Sequence, residues 1–181
     1  FESLKDAKSA MRYVKEHASI YNIDTLKIVA AGGSAGGQLA AATALIEDYN
    51  EISDNIKISC KPNALVLFNP AIDNGPAGVG YERVKSAYKN ISPIHNITKG
   101  APPTIIMLGT KDNLIPVETA KYYQTVMNKV GSRCELILYD GKEHGFFNYN
   151  KFENYKNTII EVDAFLQSEG FLTKNPLIDI N

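Results

Sequence analysis

Ser34 lies within the glycine-rich segment Gly32–Gly37, whose sequence contains the pattern Gly-x-Ser-x-Gly. An apolar stretch that predicts a strand, Leu26–Ala31, precedes this segment, and a small-residue stretch that predicts a helix, Gln38–Asp48, follows it. A sharp turn between a strand and a helix projects the serine hydroxyl from the helix N-terminus, where backbone N–H groups favour developing negative charge. The pattern therefore predicts that Ser34 is a nucleophile.

Two other interpretations of the segment around Ser34 stay open at this point. A strand-glycine-helix turn can bind a phosphate group, although this one matches neither Gly-x-Gly-x-x-Gly nor the P-loop pattern. The segment can also be only a tight turn with a serine that faces solvent. A nucleophilic role requires a base elsewhere in the chain, and that base requires an acid to orient it.

Candidates for the base and the acid follow later predicted strands, and ligands of open parallel sheets bind beyond the carboxyl ends of the strands. His144 follows the fourth predicted strand and Asp112 follows the third. The chain order is therefore Ser, Asp, His, which is the order of one known class of catalytic triad. The weaker candidates are His95 as the base and Asp73 or Asp140 as the acid.

The spacing of the predicted strands allows these three side chains to meet. If the four strands lie in sequence order, Ser34 and His144 rise from strands about 14 Å apart. The loop from Asp140 to His144 spans at most about 17 Å when it is extended, so the histidine reaches back over Asp112 towards the serine. The joint occurrence of the three residues favours a triad over the phosphate site and the plain turn.

Apolar stretches and helical patterns alternate along the chain. The four stretches that predict strands are Leu26–Ala31, Ala64–Phe68, Thr104–Leu108 and Glu135–Tyr139. Predicted helices lie between and around these strands, and residues 71–100 are irregular, with a short helix near Glu82–Tyr88. Continuous apolar strands between helices predict an α/β fold, with a parallel sheet of about four strands and helices on both faces. Residues 1–181 are predicted to form a single domain, with a frayed tail after Leu172.

The first predicted helix carries apolar residues at helical spacing: Leu4, Ala7, Met11, Val14 and Ala18. The basic residues between them are predicted to form its solvent-facing side: Lys5, Lys8, Arg12 and Lys15. His17 lies at the end of this helix, before any strand, and is predicted at the surface.

The composition argues against several classes of partner. The formal net charge is −1 and the charges are interspersed, which predicts no nucleic-acid partner and no membrane partner. No apolar run approaches the roughly 20 residues that a membrane helix needs. The sequence shows no secretory leader and indicates no compartment. Cys60 and Cys134 lie just before or at the start of two predicted strands that are two positions apart in the sheet. That separation is nearly 10 Å, so both are expected to be free, structural thiols.

Four segments together resemble the α/β-hydrolase family, and more closely its carbohydrate-esterase-like and acetyl-esterase-like branch. They are Gly32–Ala41, Asn69–Asp73, Gly109–Pro116 and His144–Phe147. The resemblance implies an esterase that hydrolyses short-chain esters, including acetyl groups on carbohydrates. It implies Ser34, Asp112 and His144 as the catalytic residues, the backbone N–H of Ala35 as an oxyanion donor, and no cofactor or metal.

The resemblance also implies a partial fold, because the family places strands and a His-Gly-Gly-Gly type segment before the nucleophile. Without them the edge of Leu26–Ala31 is unpaired, and a second copy of the chain is expected to cover it. The alternatives are a serine peptidase of the prolyl-oligopeptidase type and a catalytically weak fragment that acts as a binding module.

Overall fold

Four parallel strands form one sheet in the order β1-β2-β3-β4 in the computed structural model, which describes residues 1–173. The strands are β1 Val29–Gly33, β2 Ala64–Phe68, β3 Thr104–Gly109 and β4 Cys134–Tyr139. All three neighbouring pairs are parallel. The predicted α/β fold with a parallel sheet of about four strands is therefore confirmed, and the structure shows that the strands lie in sequence order.

Seven α-helices surround this sheet within the described residues. They are α1 Glu2–Glu16, α2 Ala18–Tyr21, α3 Ala35–Leu45, α4 Tyr81–Val84, α5 Tyr88–Ile91, α6 Val117–Lys129 and α7 Phe152–Ser168. Two short 3₁₀ turns also lie in the irregular segment: Lys85–Ala87 between α4 and α5, and Pro93–His95 after α5. The predicted fraying after Leu172 falls largely on residues 174–181, outside the described part of the chain.

Alternate residues of the central strands enter two separate cores. On one face Leu65 and Ile106 pack with Ala41 of α3 and Tyr123 of α6. On the other face the buried residues form a second cluster: Ala64, Val66, Ile105, Met107, Phe146 and Phe165. Because side chains of a strand alternate between faces, helices cover both sides, as predicted for an apolar parallel sheet.

The predicted bounds of the first strand and the following helix are wrong by about one helical turn. Leu26 is 76% exposed, and its N–H donates a 2.9 Å hydrogen bond to the Asp24 side chain. The turn made by this aspartate delays the strand to Val29, because aspartate side chains compete with regular secondary structure for backbone donors. The helix begins directly after Ser34, and it ends at Leu45 because Ile46 adopts an extended backbone.

The prediction that the basic residues of α1 face solvent is wrong for Lys8 and Arg12, whereas Lys5 and Lys15 are partly exposed. Lys8 is 1% exposed and Arg12 is 7% exposed. The Lys8 ammonium donates to three backbone carbonyls just after α3, those of residues 46, 47 and 48. Arg12 forms an ion pair with Asp54 at 2.6 Å and also donates to the Ile58 carbonyl. Backbone carbonyls of a loop that are shielded from water need hydrogen-bond donors. The side chains of Lys8 and Arg12 supply these donors.

The two cysteines are free, as predicted, and both are buried. Cys60 precedes β2 and Cys134 begins β4, with β3 between the two strands. Burial, together with the neighbouring Glu135 carboxylate, raises the pKa of the Cys134 thiol to about 12. The thiol is therefore neutral in the folded protein at physiological pH.

Candidate active site

Ser34 occupies the turn between β1 and α3 with φ 54° and ψ −119°. This is a sparsely populated conformation for a residue with a side chain and costs on the order of 1–3 kcal/mol. The turn is held by its backbone, since the Ser34 N–H donates to the Phe68 carbonyl at 2.9 Å and its carbonyl accepts from Ala71 at 3.1 Å. The strain is therefore offset by bonds to the end of the neighbouring strand, β2.

Glycine at position 32 of this turn is required for a direct steric reason. A Cβ atom on Gly32 would lie 2.3 Å from the backbone carbon and oxygen of Gly36. A Cβ on Gly36 would meet no atom of the described residues within 4 Å other than those of its chain neighbours and its own helix backbone. The first glycine of the pattern is thus explained by the close approach of strand and helix, and the second is not explained by contacts in this structure.

His144 lies in the loop after β4 and forms hydrogen bonds on both sides of its ring. Its Nε2 lies 2.9 Å from the Ser34 Oγ, and its Nδ1 lies 2.8 Å from Oδ2 of Asp112. The imidazole side chain is 22% exposed, whereas the carboxylate is fully buried. The ring can therefore exchange protons with a bound substrate while its far side is held by a shielded anion.

The loop that carries His144 crosses directly over the end of β3. A Cβ on Gly109 would lie 2.2 Å from the Lys142 carbonyl oxygen, and this carbonyl accepts the Lys111 N–H at 2.9 Å. Only a glycine at this strand end lets the two backbones approach so closely. The predicted return of the histidine loop over Asp112 follows from this contact.

The buried carboxylate of Asp112 accepts four hydrogen bonds. Oδ1 accepts the N–H groups of Leu114 at 2.8 Å and Ile115 at 3.0 Å. Oδ2 accepts from the His144 ring and from the side-chain amide of Asn69 at 2.5 Å. Because a buried polar group without partners is costly, these four donors satisfy the buried carboxylate and fix its orientation.

Asn69 is a site residue that the sequence reasoning noted only as part of the Asn-Pro end of β2. It is fully buried, and its backbone has φ 42°. Asparagine tolerates this left-handed conformation better than most residues. An asparagine before a proline at a strand end is the signal that could have identified it. The Asn69 Oδ1 has no hydrogen-bond partner among the described residues.

Ala35 is the first residue of α3. Its N–H donates to no acceptor within residues 1–173, as is usual in the first turn of a helix. This donor directly follows Ser34 in the chain and lies at the positive end of the helix dipole. It is available to an oxygen atom bound beside the serine.

The weaker candidates have other partners. His95 lies 3.6 Å from the Asp73 carboxylate, and Asp140 accepts a hydrogen bond from Thr110 at 3.1 Å. His17 bonds through Nδ1 to the Tyr13 carbonyl, which lies one helical turn earlier. The structure thus brings Ser34, His144 and Asp112 together and leaves these residues outside that chain of hydrogen bonds.

A cavity of about 420 Å³ adjoins Ser34. Its lining is mainly apolar and comes from α1, α3 and the irregular segment, with residues that include Leu4, Leu39, Ala42, Val79, Val84 and Ile91. Small-molecule sites are concave and mostly apolar, with a few polar groups.

Residues 1–173 contain no group of three or more His, Cys, Asp or Glu side chains placed to hold a metal ion. Within the same range, no helix is both long and apolar enough to span a membrane.

Two family models match the chain. The model of the dienelactone hydrolase family matches residues 64–167, more than half of the chain. The BD-FAE model matches residues 2–79, which contain Ser34 and its turn. The two matches together run from α1 to α7.

Curated relatives and solved structures agree with these matches. An acetylxylan esterase of Xylanibacter ruminicola is 26% identical over 90% of this chain, and the chain covers 35% of that protein. The apo form of Thermogutta terrifontis esterase 2 has a TM-score of 0.89 and 42% identity, over 95% of this chain and 66% of that chain.

The same Thermogutta esterase with propionate bound has a TM-score of 0.87 and 41% identity, over 96% of this chain and 67% of that chain. The chain therefore spans about a third of the length of the acetylxylan esterase and about two thirds of the solved esterase. The strand-turn-helix at Ser34, the parallel sheet and these matches lead to one conclusion: the chain belongs to the α/β-hydrolase family and, within it, to the dienelactone hydrolase family.

Proposed function

We propose that this protein is a serine hydrolase of carboxylic esters, with Ser34 as nucleophile, His144 as general base and Asp112 as the orienting acid. The observation that carries the proposal is the continuous hydrogen-bonded chain from the Ser34 Oγ through the imidazole to the buried carboxylate. Serine is a weak nucleophile until an adjacent base accepts its proton. The arrangement supplies that base and fixes its tautomer.

In the proposed mechanism the Ser34 oxygen attacks the ester carbonyl carbon while its proton passes to Nε2 of His144. The tetrahedral intermediate collapses when the imidazolium donates this proton to the departing alcohol, which leaves an acyl group on the serine. Water then attacks the acyl-enzyme, with the imidazole again acting as the base, and releases the carboxylic acid. Asp112 accepts the hydrogen bond from Nδ1 of His144 and stabilises the imidazolium throughout.

The backbone N–H of Ala35 is the proposed donor to the oxyanion of the tetrahedral intermediate. It lies next to the nucleophile and has no competing acceptor in the described chain. Loss of one oxyanion donor costs about 10²–10³ in kcat. If no further residue supplies a second donor, we expect turnover by this chain to be slow.

We further propose short acyl groups, including acetyl groups on carbohydrates, as the substrates. The cavity beside Ser34 measures about 420 Å³, near the lower end of ligand pockets. The similar Thermogutta esterase 2 has been observed with propionate and with butyrate bound. The relative from Xylanibacter ruminicola is named as an acetylxylan esterase, which supports acetate as the acyl group.

Hydrolysis of p-nitrophenyl acetate by the parent chain, by Ser34→Ala and by Ser34→Cys tests the proposal, together with labelling by a fluorophosphonate probe. We expect measurable turnover and labelling of the parent, and neither for Ser34→Ala. The similar Thermogutta esterase 2 is phosphorylated by paraoxon, which is the same class of chemistry as this probe.

Two outcomes would favour the alternatives. Cleavage of aminoacyl p-nitroanilides without cleavage of the acetyl ester favours a serine peptidase. If the probe does not label the parent chain, and the parent hydrolyses the ester no faster than Ser34→Ala, the result favours a binding module and contradicts the proposed esterase function.

A further inference from the structure

Arg83 is the one charged side chain among the described residues that line the cavity beside Ser34. The lining contains no aspartate and no glutamate. Its other polar side chains are neutral: Ser3, Ser34, Gln38 and Asn74. The cavity is therefore apolar in its body and carries a single positive charge.

Arg83 is exposed, and its guanidinium lies beside Gly80. A Cβ placed on Gly80 would lie 3.3 Å from Nη2 and 3.7 Å from Cζ of Arg83. Gly80 itself lines the cavity and has φ 79°, where a side chain is disfavoured. The guanidinium is therefore close to the part of the cavity lining that Gly80 forms.

This guanidinium has no acidic partner within residues 1–173. Every salt bridge of the described chain involves other residues. The neighbouring amides already have partners, because Gln38 donates to Asn74 at 2.7 Å and Asn74 donates to the Val79 carbonyl at 2.7 Å. An arginine fork with free donors matches the geometry of a carboxylate.

We propose that Arg83 forms a carboxylate subsite, so that the preferred esters carry an anionic carboxylate on the portion that occupies this cavity. The inference rests on the proposed esterase function and specifies its substrate class. The ester carbonyl lies at Ser34, the apolar body contacts residues such as Leu39 and Val84, and the carboxylate binds the guanidinium. Half-esters of dicarboxylic acids fit if the cavity holds the acyl group, and esters of hydroxybenzoic acids fit if it holds the alcohol.

Two matched substrate pairs test the proposal. On the acyl side, mono-p-nitrophenyl adipate is compared with its neutral methyl ester. On the alcohol side, 4-acetoxybenzoate is compared with methyl 4-acetoxybenzoate. The quantity measured is the ratio of kcat/KM for the anionic ester to that for the neutral ester. We expect this ratio to fall about tenfold in Arg83→Gln for at least one pair, because a charge-assisted hydrogen bond is lost, and to fall further in Arg83→Glu.

Lys89→Gln is the matched control, since it removes an equal charge from an exposed residue outside the cavity lining. It should leave the ratio at the parent value. Equal ratios in the parent and Arg83→Gln for both pairs overturn the subsite.

Calorimetric binding of 4-acetoxybenzoate and of mono-p-nitrophenyl adipate to Ser34→Ala, with and without Arg83→Gln, separates the subsite from the activity. If the carboxylates bind in a manner that depends on Arg83 but the parent chain hydrolyses no ester, the carboxylate subsite is retained and the proposed esterase function is ruled out. If neither compound shows binding that depends on Arg83 and the kcat/KM ratios are unchanged, the carboxylate subsite is ruled out. If the neutral esters are still hydrolysed in that case, the proposed esterase function is retained.

Discussion

The side-chain amide of Asn69 donates a 2.5 Å hydrogen bond to Oδ2 of Asp112, the same oxygen that bonds to His144. The two residues come from the carboxyl ends of β2 and β3, which lie side by side in the sheet. Asn69 is held in a left-handed backbone conformation with φ 42°. The end of β2 therefore positions the acid, and through it the histidine.

We predict that Asn69→Gly lowers kcat for p-nitrophenyl acetate by about tenfold to a hundredfold, with little change in KM, because a hydrogen bond to a charged group is lost. Glycine accepts the left-handed backbone, so the variant removes the amide without adding strain. Asn22→Gly is the control, since it makes the same change at φ 54°, at the end of α2. An unchanged kcat would show that the amide of Asn69 has no role in orienting Asp112.

Asp112→Asn should lower kcat by about 10⁴, as the same change does in other serine hydrolases. The N–H groups of Leu114 and Ile115 hold one side-chain oxygen, so the new amide nitrogen must face His144. It would donate to the ring and impose the wrong tautomer. Asp140→Asn, which alters a carboxylate bonded to Thr110, is the control. Comparable losses in the two variants would argue against Asp112 as the acid.

Lys8→Met should destabilise the fold by roughly 2–4 kcal/mol, measured as the free energy of unfolding in urea. Burial lowers the pKa of Lys8 from its ordinary value, and the substitution leaves three shielded carbonyls without their donor. Lys5→Met is the control, because Lys5 forms only partly exposed ion pairs with Glu2 and Glu51. Its expected cost is much smaller, because exposed ion pairs contribute little to stability. Equal costs would mean that burial of Lys8 contributes nothing.

Both cysteines should resist a thiol reagent in the folded protein and react after unfolding, because both are buried.

The Cys134 thiol has a pKa raised from 9.0 to about 12. The unfolded chain therefore loses this proton at a lower pH than the folded chain. The contribution of the protonated thiol to the free energy of unfolding is complete below pH 9.0. It declines as the pH rises from 9.0 towards 12. Cys134→Ala should flatten the fall of stability between these values, and an unchanged slope would contradict the assignment.

We also expect a second copy of the chain to cover the free edge of β1, as the sequence predicted for this strand. Within the described residues β1 pairs with β2 alone, and unpaired parallel edges attract other strands. Light scattering coupled to size exclusion should detect a dimer. Ala31→Pro, which removes a backbone donor from an exposed position of β1, should shift the equilibrium to the monomer. A monomer at all concentrations would contradict the prediction.

Much of the site could be predicted because its residues follow strands in a fixed order. Parallel strands bring their carboxyl ends to one edge of the sheet, so Ser34, Asp112 and His144 could be placed together without coordinates. Asn69 could not be placed in the same way. Its role depends on a backbone twist after β2 that no periodicity encodes, and its signal was only the Asn-Pro end of a strand.

The charged face of α1 shows why local patterns fail for some residues. Lys8 and Arg12 alternate with apolar residues as in a solvent-facing helix, yet the chain that follows α3 returns and lies against them. Whether a long cation is exposed depends on which carbonyls the rest of the fold brings to it. Helical spacing specifies which residues share one face of a helix, but it does not specify which segments of the fold pack against that face.

The sequence by itself determined the α/β class and the set of Ser34, Asp112 and His144, because hydrophobic periodicity and turn chemistry are local properties. The order of the strands in the sheet, which the sequence analysis assumed, came from the structure. Only the tertiary structure decided the hydrogen bond from Asn69 to Asp112, the burial of Lys8 and the place of Arg83 beside the cavity. Each of these depends on segments far apart in the chain, whose approach is set by packing of the whole sheet and its helices.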